Sequence, residues 1–128
     1  MSSLQARAEL TGWLLVSDSL RHLPTRPWAL ELALRRLHET ASFPKLAEWA
    51  SETAFGWTFP KLNEVVWRLV DDGALSPSSE SGRSVYLVND SWQASTRQSL
   101  GDDSPEILEL VTQVSDYLAS LAATPTNV

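Results

Sequence analysis

At 128 residues, 43% hydrophobic and 20% charged, the chain is long enough for one domain with a core of its own. It contains no cysteine, which excludes disulfides and thiolate metal sites and fits a reducing compartment. The net charge of −6 argues against free attraction to phosphate, yet five acids and no bases follow Arg97, leaving residues 1–97 with ten basic against eleven acidic groups.

Residues 4–23 read as a first helix, with Leu10, Trp13, Leu14, Val16, Leu20 and Leu23 over an apolar arc broader than one buried stripe needs. Pro24 ends it. A second helix runs from residue 27 to about 39, with Leu30, Ala33, Leu34 and Leu37 inward and Arg35 and Arg36 toward solvent. A third, about 44–54, buries Leu46, Trp49, Ala50 and Ala54, and residues 55–58 form a turn. A fourth, 59–72, turns Phe59, Leu62, Val65, Val66 and Leu69 one way and Lys61, Glu64, Arg68 and Asp71 the other, with Asn63 and Trp67 on a flank. The third and fourth helices open alike, Ser42-Phe43-Pro44-Lys45-Leu46 and Thr58-Phe59-Pro60-Lys61-Leu62. A hydroxyl there can cap free amides, and proline removes an amide that lacked a partner. This reads as shared helix-start chemistry rather than a duplication.

Gly73 can take the left-handed conformation that stops a helix. A β-hairpin is expected over about 74–89, with strands near 74–77 and 83–88 and a tip at 78–82, and Pro77 suits an edge strand. Residues 91–101 read as polar linker. A last helix spans 104–123, its Ile107, Val111, Val114, Leu118 and Leu121 spaced 4, 3, 4, 3 as in a two-helix seam. Residues 124–128 read as a frayed end.

Helix, turn, helix, glycine stop and hairpin is the order of a winged helix-turn-helix, so the expected fold is mainly α with a small β-hairpin, a winged core flanked by terminal helices. The run Leu46-Ala47-Glu48-Trp49-Ala50, with Leu62, Val66, Leu69, Asp72-Gly73 and Leu75, resembles bacterial winged-helix transcription regulators of the MarR and PadR type over residues 27–89. The resemblance implies a dimer that presents its second motif helix to the DNA major groove.

Candidate nucleic-acid contacts are Lys45, Thr58, Lys61, Asn63, Arg68 and Arg83, which can hold phosphates or read base edges. Glu64 and Arg68 stand at i, i+4, and a solvated surface pair accounts for them equally well. The last helix, helped by residues 4–23, would build a homodimer through its seam; packing against the first helix is the intramolecular alternative. Of six tryptophans, Trp57 and Trp67 are the expected exposed ones, and they support a second reading. In it the chain is a protein-interaction module, an adaptor or an acidic inhibitor of a basic partner. A ligand pocket between the first and last helices is conceivable, but no residue set specifies its occupant.

Catalysis is not expected, nor a cofactor or metal. The five glycines form no phosphate-cradling loop, and His22 and His38 are read at helix ends, where imidazoles meet terminal carbonyls. With neither a cleavable apolar leader nor a run of roughly 20 apolar residues, a soluble cytoplasmic protein without membrane contact is expected.

Overall fold

The computed structural model describes residues 3–80 and 82–123. Ser81 of the expected hairpin tip and the expected frayed end at 124–128 lie outside them. The chain is mainly helical with small antiparallel sheets, and among the described residues no helix is long and apolar enough to cross a membrane.

Helix α1 covers Leu4–Trp13, its first turn capped by the Ser3 hydroxyl, which accepts from the Ala6 amide at 3.1 Å. It does not continue to residue 23. The chain runs irregularly to Arg21 and then forms strand β1, His22–Pro24. Leu14, Leu15, Val16, Leu20 and Leu23 are all buried, which one stripe of a surface helix cannot achieve. An irregular segment inside the core leaves backbone carbonyls that need donors. Gln93 Nε2 supplies them to Leu15, Ser17 and Leu20 at 2.6, 2.7 and 3.2 Å, and Arg97 donates to the Val16 carbonyl. The Ser17 amide donates to Ser115 Oγ at 3.0 Å, and the Ser17 hydroxyl to Asp116. His22 therefore sits in a strand, not at a helix end.

Helix α2, Trp28–Thr40, buries Ala29, Leu30, Ala33, Leu34 and Leu37 as its periodicity predicts. Arg35 and Arg36 are less free than expected. Arg35 donates to the Trp57 carbonyl, and the Arg36 guanidinium lies 3.7 Å from the Tyr117 ring centroid.

Helix α3 is only Pro44–Trp49. In place of its expected continuation to residue 54, strands β2 (Ser51–Thr53) and β3 (Gly56–Thr58) form a two-stranded ribbon, Glu52 opposite Trp57. Residues 51–56 are exposed throughout, so a helix there would have had no apolar face to bury. The Thr53 hydroxyl bridges the turn, donating to the Gly56 carbonyl at 2.7 Å and accepting from the Phe55 amide at 3.2 Å.

Helix α4 covers Leu62–Asp71, three residues shorter at its start than expected, and buries Leu62, Val65, Val66 and Leu69 against α1. Its C-terminus closes as Gly73 predicts. At φ +84° the Gly73 amide bonds to Val70 O and the Ala74 amide to Leu69 O, the paired bonds of a left-handed cap. Strands β4 (Leu75–Glu80) and β5 (Arg83–Val88) follow as the expected hairpin, with Glu80 opposite Arg83. Ser78 and Ser79 thus belong to a strand rather than the tip. β1 pairs with the other side of β5, giving the order β1-β5-β4, which leaves Pro77 on an edge strand.

The expected linker is helix α5, Asp90–Asp103, started by the Asn89 side chain accepting from the Trp92 amide. It buries only Gln93 and Leu100, with Trp92 half-buried against the core, so it carries no continuous apolar period. Helix α6, Pro105–Ala123, agrees with expectation in extent. Its seam does not. Val111, Val114 and Leu118 are buried within the chain, where α6 packs against α2, α1, α5 and β1, and Ile107 and Leu121 are half-buried. These residues, read as a dimer interface, have their partner surface inside the same molecule, chiefly on α2 rather than on the first helix.

Candidate nucleic-acid interface

Neither repeated hydroxyl caps a helix. The N-cap of α3 is Phe43, and that of α4 is Lys61. Pro44 does occupy the first turn of α3, as expected, whereas Pro60 precedes α4. The matching pentapeptides therefore lead into their helices differently. The end of α3 is nonetheless tied to the start of α4, because Trp49, the last residue of α3, donates its indole N–H to the Pro60 carbonyl at 2.8 Å. Trp49 also packs edge-on against Phe59, with ring centroids 5.3 Å apart.

Lys61 is exposed and adopts φ +62°, ψ +32°, the left-handed region, and among the described residues it is the sole non-glycine with positive φ. A Cβ in that region costs about 1 kcal/mol. Replacing Lys61 with Gly should therefore raise stability by roughly that amount relative to Lys61→Ala, read from urea unfolding at equal m. Equal midpoints for the two variants would show that the lysine backbone bears no such cost.

From Lys61 the outward face of α4 continues through Asn63 and Glu64, both exposed, to Trp67, which is 58% exposed. Arg68 is half-buried, and its carboxylate partner is not Glu64. Its Nε donates to Asp72 at 3.1 and 3.3 Å, one turn toward the C-terminus. Asp72 lies at the C-cap, where the guanidinium also meets the favourable end of the helix dipole.

Lys45 is exposed in the first turn of α3, and Arg83 is exposed at the start of β5. Neither Lys45 nor Lys61 stands in an ion pair among the described residues. Thr58 does not belong to this group. It is half-buried on β3 and donates to Glu31 Oε1 at 2.8 Å, pinning the ribbon to α2. Trp57, expected to be exposed, is half-buried with His38 edge-on at 4.6 Å between centroids. Sequence reasoning missed Phe55, which is 90% exposed at the ribbon turn. An aromatic beside a glycine in an apparent turn was the available signal.

The structure thus leaves Asn63 and Trp67 exposed on α4 and Lys61 exposed at its N-cap, links the start of α4 to α3, and withdraws Thr58 and, in part, Arg68. Comparison with protein-family models, with curated proteins and with solved structures finds no match.

Proposed function

We propose that this chain is a DNA-binding domain of winged-helix type, with α4 directed to the major groove and the β4–β5 hairpin as its wing. The observation that carries the reading is the join between them. The left-handed closure at Gly73 leads directly into β4, and β1 completes a three-stranded sheet behind the hairpin, so an exposed polar helix face is anchored beside a two-stranded wing. Lys61 and Asn63 on α4, Lys45 on α3 and Arg83 on the wing supply the contacts. Arg68, held by Asp72, contributes little. The reading needs no second copy through the α6 seam.

With three cations on phosphate, log affinity should fall against log salt with a slope of up to about three. Fluorescence anisotropy with a labelled duplex from about 50 to 200 mM salt measures this. Replacing Lys61 and Arg83 together with Ala should flatten the slope by up to about two units. A folded parent that binds no duplex at the lowest salt refutes the proposal.

A second reading, a docking domain for a basic protein segment, draws on Trp67. It stands exposed on α4 among Glu64, Asp71 and the neutralised Arg68, a face with more acid than base and an apolar anchor. That reading expects no duplex binding.

A further inference from the structure

A cleft of about 470 Å³ opens between α1, α5 and α6, on residues that no contact with DNA would use. Its volume falls within the range of small-molecule sites. Two carboxylates line it, Glu9 from α1 and Asp103 from the last turn of α5, and none of the lining residues is basic. Trp13, Leu100 and Ile107 supply apolar wall, and Ser95 and Ser99 add hydroxyls to the lining.

The walls are fixed before any ligand arrives. Trp13 packs against Phe43, ring centroids 6.3 Å apart at 61°. Gly101 brings α5 close enough to α6 that a Cβ at that position would stand 3.3 Å from Leu108. The corner between the two helices is held by the Ser104 amide on the Leu100 carbonyl at 2.7 Å and the Leu108 amide on the Ser104 carbonyl at 3.1 Å. The backbone that carries Leu100, Asp103 and Ile107 is therefore held at this corner, so a ligand has chiefly the two exposed carboxylates to order.

We infer that this cleft is a binding site for a small aryl- or alkyl-ammonium compound. The ammonium lies between the Glu9 and Asp103 carboxylates, and the apolar body lies on the Trp13 face and the Leu100–Ile107 wall. Carboxylates and an indole face both favour a cation, while an anion would meet two like charges and no base. The site is separate from α4, and the inference does not depend on DNA binding.

The test uses phenethylammonium, with 2-phenylethanol and phenylacetate as its neutral and anionic counterparts. Each is titrated into ¹⁵N-labelled full-length protein while the Trp13 indole N–H resonance is followed, assigned by its loss in Trp13→Phe. Phenethylammonium should shift that resonance saturably in the millimolar range, the alcohol should bind about tenfold more weakly, and phenylacetate should not bind. The Glu9→Gln, Asp103→Asn double variant should weaken phenethylammonium about tenfold without affecting the alcohol. Both side chains are exposed, so this variant keeps the fold. No saturable shift at Trp13, equal affinity for amine and alcohol, or a double variant that binds phenethylammonium like the parent would each overturn the assignment.

Discussion

Replacing Gln93 with Leu is expected to lower the unfolding free energy by about 2–5 kcal/mol, with no change of apolar volume to account for it. Gln93 is 2% exposed, and its amide nitrogen faces three carbonyls of the irregular segment after α1. Its two hydrogens serve Leu15 and Ser17 at 2.6 and 2.7 Å, and Leu20 shares them at 3.2 Å. Leucine fills the space but donates nothing, so the Leu15 and Leu20 carbonyls lose this donor, while the Ser17 carbonyl keeps the Leu20 amide at 3.0 Å. Gln93→Glu should cost more at neutral pH, because it aims a carboxylate at the same oxygens. Burial and the facing carbonyls hold the introduced acid above its unfolded value, so the folded state binds the extra proton. Its deficit is then smallest below about pH 4.3 and grows as pH rises toward the folded value. Urea unfolding, with exposed Ala94→Gln as the control, measures both. A loss for Gln93→Leu under about 0.5 kcal/mol, the range of ordinary surface changes, would mean that α5 does not hold the segment.

The Val114→Glu, Leu118→Glu double variant is expected to unfold the protein rather than separate a dimer. Val114 is 2% exposed and Leu118 fully buried, on the face that α6 packs inside the chain. Each buried carboxylate costs several kcal/mol, and the two together reach the whole stability of a typical domain. Circular dichroism should show the loss of the cooperative thermal transition. If the variant stays folded and elutes at half the parent's size, the seam joins two copies after all.

The elements that were legible are those whose stability is written as an apolar period. α2 and the buried face of α4 bury the side chains that their spacing marks, and α6 buries the middle three of its five, Val111, Val114 and Leu118. The hairpin forms where Gly73 predicts it, although β5 buries Val85 and Val88 rather than alternate residues. What was not legible depends on partners distant in the chain. The broad apolar arc over residues 10–23 signalled a segment buried on all sides, but its irregular backbone persists because Gln93 and Arg97, more than 70 residues away, satisfy its carbonyls. For the same reason α5 read as linker: Gln93, one of its two buried residues, and the half-buried Arg97 serve another segment, and Leu100 and Trp92 alone make no apolar period. β1 is three residues long and exists through its pairing with β5. In the candidate site, exposure of Lys61 and Asn63 followed from helical phase. The left-handed backbone at Lys61 did not, and neither did the choice of Asp72 over Glu64 by Arg68, since both acids stand one turn away.

Mapping contacts at low salt decides whether α4 and the β4–β5 hairpin face a duplex. ¹⁵N-labelled protein is titrated with an unlabelled duplex of about 20 base pairs, two helical turns. If they do, the largest shifts fall on the amides of residues 61–68, the Asn63 side-chain amide, the Trp67 indole and the amides around Arg83, and Lys61→Ala with Arg83→Ala reduces them. Saturation with no shifts in α4 or the hairpin, or with the largest shifts on α5 and α6, would mean that these elements do not face the duplex.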